Sequence, residues 1–180
     1  MSKKVLVIST SPRKGSNSDQ LAEDFIRGAQ QSGNTVEKVT LRDKTIGFCK
    51  GCLSCIRTQR CVIADDSNAI VEKMLNSDVI VFATPIYYYE MSGQMKTMLD
   101  RSNPLYGSDY QFRDIYLLTA AAEDEASTPE GAIHGLQGWI ACFEKARLAG
   151  TVFAGGVNAP GEIQNHPARK EAFDLGAAIQ

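Results

Sequence analysis

No apolar run in this chain approaches the ~20 residues that a membrane-spanning helix needs. The longest unbroken stretches, residues 79–83 and 115–118, are strand-sized, and the run at 5–8 is too short for a signal-peptide core and is soon followed by charge. The chain is therefore expected to be cytoplasmic and to leave membranes alone. Charge of one sign is not in excess either: 19 Lys and Arg stand against 21 Asp and Glu, so no long-range field exists to gather nucleic acid or an anionic surface. A small-molecule partner is the expectation. Histidine is scarce, with only His134 and His166. Neither is spaced to ligate metal with the other or with the cysteines, so both read as helix or cap residues, and a hydrolase triad has no support. The sequence also lacks G-x4-G-K-[ST] and G-x-G-x-x-G, which removes support for nucleoside-triphosphate chemistry and for a Rossmann dinucleotide site.

What is present is a pattern of alternating strands and helices. With 180 residues and 43% apolar content, the chain fits one domain spanning 1–180. KVLVIS at 4–9 is a β-branched strand, followed by turn formers and then by Leu21, Phe25, Ile26 and Ala29 at helical spacing. A second strand is marked by Val36, Val39 and Leu41. Asp65-Asp66-Ser67 offers caps for a helix carrying Ile70, Val71, Met74 and Leu75. DVIVFATP then has the unbroken apolar character of a parallel strand covered on both faces. Further elements are expected as a helix over 92–101, a strand over 114–119, a helix over 129–146, a strand over 148–154 and a last helix over 166–180. The alternation predicts an α/β fold with a parallel sheet and helices on both faces.

In such a sheet, ligands bind outside the carboxyl ends of the strands, where the strand order reverses. Three loops should meet there. Ser9 to Ser18 (STSPRKGSNS) supplies hydroxyls, an arginine and a helix N-terminus, a natural place for a phosphate, although Ser16, Asn17 and Ser18 can also be read as plain capping residues. Thr84 to Glu90 (TPIYYYE) places three consecutive tyrosines beside the central strand, suited to a planar heterocycle or to packing between helices. Thr119 to Glu125 (TAAAEDE) is small where a backbone must approach a ligand.

STSPRKGSNS and TPIYYYEMSGQMKTMLDR together resemble the strand-one signature and the Pro-aromatic segment of the NAD(P)H-dependent FMN reductase family, in the flavodoxin-like superfamily. The resemblance implies a three-layer, doubly wound fold with a five-stranded parallel sheet in the order 2-1-3-4-5. It implies that Ser11, Arg13, Ser16, Asn17 and Ser18 hold the phosphate of FMN. Pro85, Ile86, Tyr87 and Tyr88 would line its ring, and Thr119, Ala120 and Ala121 would close the other side. NAD(P)H would donate electrons to a small acceptor such as a flavin, quinone, azo or nitro compound. No catalytic side chain is assigned, because a flavin supplies the redox chemistry itself. Lys96, Asp100 and Arg101 match a segment that packs a helix and helps form a dimer, and a homodimer or tetramer is implied.

Four of the five cysteines, Cys49, Cys52, Cys55 and Cys61, fall within thirteen residues. Such compact spacing points to metal or redox chemistry more than to an extracellular disulfide framework. It resembles the cysteine motif of the iron–sulfur flavoprotein subgroup, in which a 4Fe-4S cluster accompanies FMN. Such a protein would carry electrons between protein partners and take them from a ferredoxin. Unligated thiols, a zinc site and a redox disulfide stay open beside that reading. Cys142 is expected in the core. Asp65-Asp66 reads as capping, and Trp139 with Leu136, Ile140 and Phe143 as core or dimer interface.

Overall fold

A computed structural model describes residues 2–180. The chain runs β1 (Lys4–Ser9), α1 (Asn17–Gln31), β2 (Thr35–Thr40), α2 (Ser54–Thr58), α3 (Ser67–Leu75), β3 (Val79–Tyr87), β4 (Glu90–Met91), α4 (Gly93–Arg101), β5 (Asp114–Ala120), α5 (Glu130–Ile140), β6 (Arg147–Ala154) and α6 (Ala168–Ala177). Five strands form a parallel sheet in the order β2-β1-β3-β5-β6, and the two-residue β4 folds back antiparallel on the end of β3. Counting the parallel strands alone, this is the expected 2-1-3-4-5 order.

The sheet divides the core by side-chain parity, because successive residues of a strand point to opposite faces. Val5, Val7, Val79, Val81 and Ala83 pack under α1 and α6, while Leu6, Ile8, Ile80 and Phe82 pack under α3, α4 and α5. Both faces are covered, which is why the β1 and β3 sequences are apolar without alternation. On the first face α1 and α6 touch backbone to backbone. A Cβ on Gly28 would stand 2.0 Å from the Phe173 carbonyl oxygen, and one on Gly176 would stand 2.1 Å from that of Phe25. The same pair is tied by Asp24, which accepts from Arg27 and from Arg169 (2.7 Å). Burial pushes the Asp24 pKa up, but these two guanidinium groups outweigh it and hold the carboxyl below its usual range.

Three expectations need correction. The helix expected over 129–146 ends at Ile140; the chain then makes tight turns in which Cys142 N–H donates to the Trp139 carbonyl and Phe143 N–H to that of Ile140. Those turns swing Phe143 inward against Tyr110, Phe112 and Trp139. They leave Cys142 exposed, not in the core. Residues 84–90 are not an open loop: β3 continues to Tyr87, and Tyr88-Tyr89 make a two-residue hairpin turn to β4. Both tyrosines have positive φ (50° and 63°), as the favoured two-residue hairpin turn requires. That turn favours Asn-Gly, so no turn signal was readable in Tyr-Tyr. His166 lies just before the Pro167 N-cap of α6, and its Nδ1 accepts from the Ala168 N–H (3.1 Å).

Candidate functional site

Strands β1 and β3 lie side by side at the point where the sheet order reverses; β1 ends at Ser9, opposite Ala83, and β3 runs on to Tyr87. The loops that leave them flank one cavity of about 620 Å³, inside the ~300–1,000 Å³ range of small-molecule sites. Beneath it, three buried hydroxyls knit the two loops together. Thr10 Oγ1 and Ser92 Oγ are 3.0 Å apart, Thr84 Oγ1 donates to Ser92 Oγ (3.2 Å), and Ser92 N–H donates to Thr84 Oγ1 (3.0 Å). Ser92 also caps α4 by accepting from the Met95 N–H (3.3 Å). The floor of the cavity is therefore held by the sheet and by a helix cap.

One end of the cavity is built on the N-terminus of the fifteen-residue α1. Ser16 is its N-cap, accepting from the Asp19 N–H at 3.2 Å. Ser11, Arg13, Ser16, Asn17 and Ser18 all line the cavity there. Among the described residues Arg13 is its only cationic lining residue, and no carboxylate lines it. Unpaired helix N–H groups, the helix dipole and one guanidinium suit a phosphate dianion. Asn17 also pins the segment after β6. Its Nδ2 donates to the Ala159 carbonyl (3.0 Å), and its Oδ1 accepts from Gly161 N–H (3.2 Å) and Ile163 N–H (3.4 Å). Arg13 Nη1 donates to the Asn158 carbonyl at 2.9 Å.

At the other end stand Pro85, Ile86, Tyr87 and Tyr88, with Tyr88 fully exposed at the rim. Gly131 of α5 makes the hairpin possible, since a Cβ there would lie 2.4 Å from the Tyr89 carbonyl oxygen. Ala120 and Ala121 line the cavity as expected, joined by Ala122. Thr119 does not line it. That residue is 2% exposed, and its hydroxyl donates to the Val152 carbonyl (3.1 Å) inside the sheet, because parity turns it away from the ligand edge. Sequence reasoning missed the segment after β6, from which Val157, Asn158 and Pro160 complete the wall. Its one readable signal was position, as a fourth loop at the carboxyl edge.

The four clustered cysteines lie elsewhere, on the long excursion between β2 and α3. Cys49, Cys52, Cys55, Cys61 and also Cys142 line a second cavity of about 320 Å³, walled by Leu53, Val62, Trp139 and Phe143 among others. Arg101 of α4, with its side chain fully buried, closes the excursion at its base. It donates to the carbonyls of Gly47 (2.6 Å) and Ile63 (3.3 Å) and, bidentate, to Asp65 (2.6 and 3.0 Å). Asp65 also accepts from the Gly47 N–H (2.9 Å) and from the Ser67 N–H and hydroxyl. The capping expected of Asp65 is real, but its main partner is Arg101. Burial pushes the Asp65 pKa up, yet Arg101 and the other donors outweigh it and hold the carboxyl far below the usual range. Asp66, at the N-cap position, makes no side-chain cap bond and accepts instead from the Thr45 N–H (2.7 Å).

All five thiols are free. Among the described residues no group of three His, Cys, Asp or Glu converges on a point that would hold a single metal ion, so the tetrahedral thiolate set of a zinc site is not formed. A four-iron cluster binds each thiolate on a different iron, and its ligands stand further apart than four around one ion. The four thiols line one largely apolar cavity, which is the donor set and surrounding that such a cluster uses. Asn103 Nδ2 already donates to Cys55 Sγ at 3.0 Å. The Ser54 N–H and hydroxyl hold the exposed Cys52 thiol below its usual pKa, with Lys50 adding to the effect.

Fold and cavity together define a flavodoxin-like α/β protein with one cavity at the reversal of its sheet, lined at one side by the α1 N-terminus and Arg13 and at the other by Pro85 to Tyr88. A family model described as NADPH-dependent FMN reductase matches residues 3–137, and the chain belongs to that family. Among its relatives, an iron-sulfur flavoprotein of Methanosarcina thermophila is 27% identical over 173 residues, covering 96% of this chain and 87% of the relative. An iron-sulfur flavoprotein of Archaeoglobus fulgidus is 36% identical over 101 residues, covering 56% of this chain; that match spans about half of the relative, 46% of its length. The solved NAD(P)H:quinone oxidoreductase from Methanothermobacter marburgensis superposes with a TM-score of 0.74 at 16% identity, covering 98% of this chain and 96% of that one, a likeness of fold. No helix among the described residues is long and apolar enough to cross a membrane.

Proposed function

We propose that the chain is an FMN-dependent oxidoreductase that takes electrons from NAD(P)H and passes them to a small acceptor such as a flavin, quinone, azo or nitro compound. The observation that carries this reading is the single cavity at the sheet reversal, cationic at the α1 N-terminus and flat and apolar at the Tyr87-Tyr88 end. FMN bound there would supply hydride acceptance and one- or two-electron transfer. The chain's own residues bind and orient. Ser11, Arg13, Ser16 and Ser18 hold the phosphate, and Asn17 keeps the 156–163 segment folded against it. Pro85 to Tyr88 and Ala120 to Ala122 flank the ring, the alanines admitting a close approach. The exposed Tyr88 leaves the outer face open to a second planar molecule, which is how donor and acceptor would take turns.

A second reading adds to the first: Cys49, Cys52, Cys55 and Cys61 hold a 4Fe-4S cluster, and the protein exchanges electrons with a protein partner such as a ferredoxin. The shared cavity and the Asn103 N–H aimed at Cys55 favour it. Exposed Phe48, Leu53, Ile56 and Val62 around the excursion support a homodimer or tetramer. Protein purified without oxygen should show flavin absorption and oxidise NAD(P)H when given a quinone or azo dye. Iron and acid-labile sulfide assayed on the same sample should come to about four per chain if the cluster is bound. Absence of flavin after reconstitution with FMN would overturn the first reading, and absence of iron after anaerobic reconstitution the second.

A further inference from the structure

The excursion that carries the cysteines is held by oxygen acceptors at its base, yet two donors beside it have no oxygen to serve. The first is Asn103, in the turn after α4, whose Nδ2 donates to Cys55 Sγ at 3.0 Å. A neutral thiol is a weak acceptor, so an amide committed to sulfur gains little until that sulfur is a thiolate. The second is Arg101 Nε. Its guanidinium lies among Gly47, Ile63 and Asp65, which take up the terminal nitrogens, while Nε is buried with no partner. A buried donor left unsatisfied is costly, so it marks a place where an acceptor is missing.

A clamp that served only to close the loop would not need either donor. We propose that Asn103 is a positioning residue that donates an N–H···S hydrogen bond to the Cys55 thiolate of the loaded cysteine site and, with the buried and unpartnered Arg101 Nε–H as a second donor on the same stretch, raises its reduction potential. The inference rests on the reading of that site as an iron–sulfur centre. Its physical basis is charge: a reduced cluster carries one more negative charge than the oxidised one, so N–H donors and a nearby cation directed at ligand sulfur favour the reduced form. Both residues belong to one short stretch, the end of α4 and the turn after it, and α4 begins at the Ser92 cap beneath the flavin cavity. The same helix therefore anchors the floor of one site and directs donors into the other.

The test is a reduction-potential titration of anaerobically reconstituted full-length protein, followed by the electron paramagnetic resonance of the reduced centre, with iron, sulfide and FMN quantified on every sample. Asn103→Ala removes the donor and should shift the cluster potential to more negative values. Asn103→Asp, almost the same shape, replaces the donor by an anionic acceptor and should shift it further in the same direction. Loss of iron from both variants while FMN stays bound would also support the inference, because Asn103 would then be needed to hold Cys55. Potentials equal to that of the unaltered protein in both variants, at full iron content, would overturn the inference and leave the iron–sulfur reading standing. An unaltered protein that takes up no iron would overturn both.

Discussion

The two cavities are made in different ways. The cavity proposed for FMN sits on strand ends: β1 and β3 pair beside it, and three buried hydroxyls and a helix cap tie the loops that leave them. The cysteine cavity sits on a long loop with one five-residue helix in it and exposed Phe48, Leu53, Ile56 and Val62 on its surface. Its base is closed by the Arg101 guanidinium, with further hydrogen bonds made by the side chains of Asp65, Asp66, Asn68 and Asn103. Regular hydrogen-bonded structure spreads the cost of holding a site over many groups, whereas an ion pair concentrates it in one.

The strongest way to break this contrast is Arg101→Met. It leaves the Asp65 carboxylate buried without its partner and should cost about 3–5 kcal/mol in urea unfolding, with the cysteine loop opened and the flavin cavity still able to bind FMN in a titration. Equal loss of FMN affinity would show that the two cavities are one unit. Next in size, Arg13→Ala combined with Ser16→Ala should weaken FMN by about 30–150-fold in a fluorescence titration, as removing charge-assisted donors worth ~2–3 kcal/mol does, and should leave iron content alone. Gly131→Ala forces a Cβ against the Tyr89 carbonyl. It should weaken FMN by about tenfold, a smaller effect that again spares the cysteine side.

Acid should discriminate between the regions as well. The Asp65 pKa is depressed in the folded state, so its stabilisation is fully present above the ordinary carboxylate value of ~3.9 and is lost as pH falls below it. Thermal melts between pH 6 and pH 3 should therefore fall more steeply for the unaltered protein than for Asp65→Asn. The smallest expected effect is kinetic: in protein free of metal, iodoacetamide should label Cys52 ahead of Cys55 and Cys61, because its thiolate is favoured and exposed. Even labelling would mean that the loop has no fixed conformation around Ser54.

Legibility in the sequence followed the range of the interactions involved. Strands β1 and β3 were plain because burial on both faces demands unbroken apolar runs, and the α1 N-terminus because Ser16 and its neighbours act within one helical turn. The Tyr88-Tyr89 turn was invisible, since a backbone in the left-handed region there is imposed by the β3–β4 pairing and by Gly131 of a distant helix. Thr119 was misplaced because a one-residue change of parity decides which face a side chain takes. Cys142 was read as core from helical spacing, but the helix unwinds just before it as Phe143 turns inward.

By itself, then, the amino-acid sequence determined the doubly wound α/β class, the two loops that flank the sheet reversal and the grouping of four thiols, because each is a matter of local pattern and composition. Only the tertiary structure decided that the segment after β6 completes the cavity at the sheet reversal, that Arg101 and Asp65 close the cysteine loop and that Cys142 joins the other four. Those are contacts between residues tens of positions apart, and their energies exist only once the sheet has brought the distant segments within hydrogen-bonding distance.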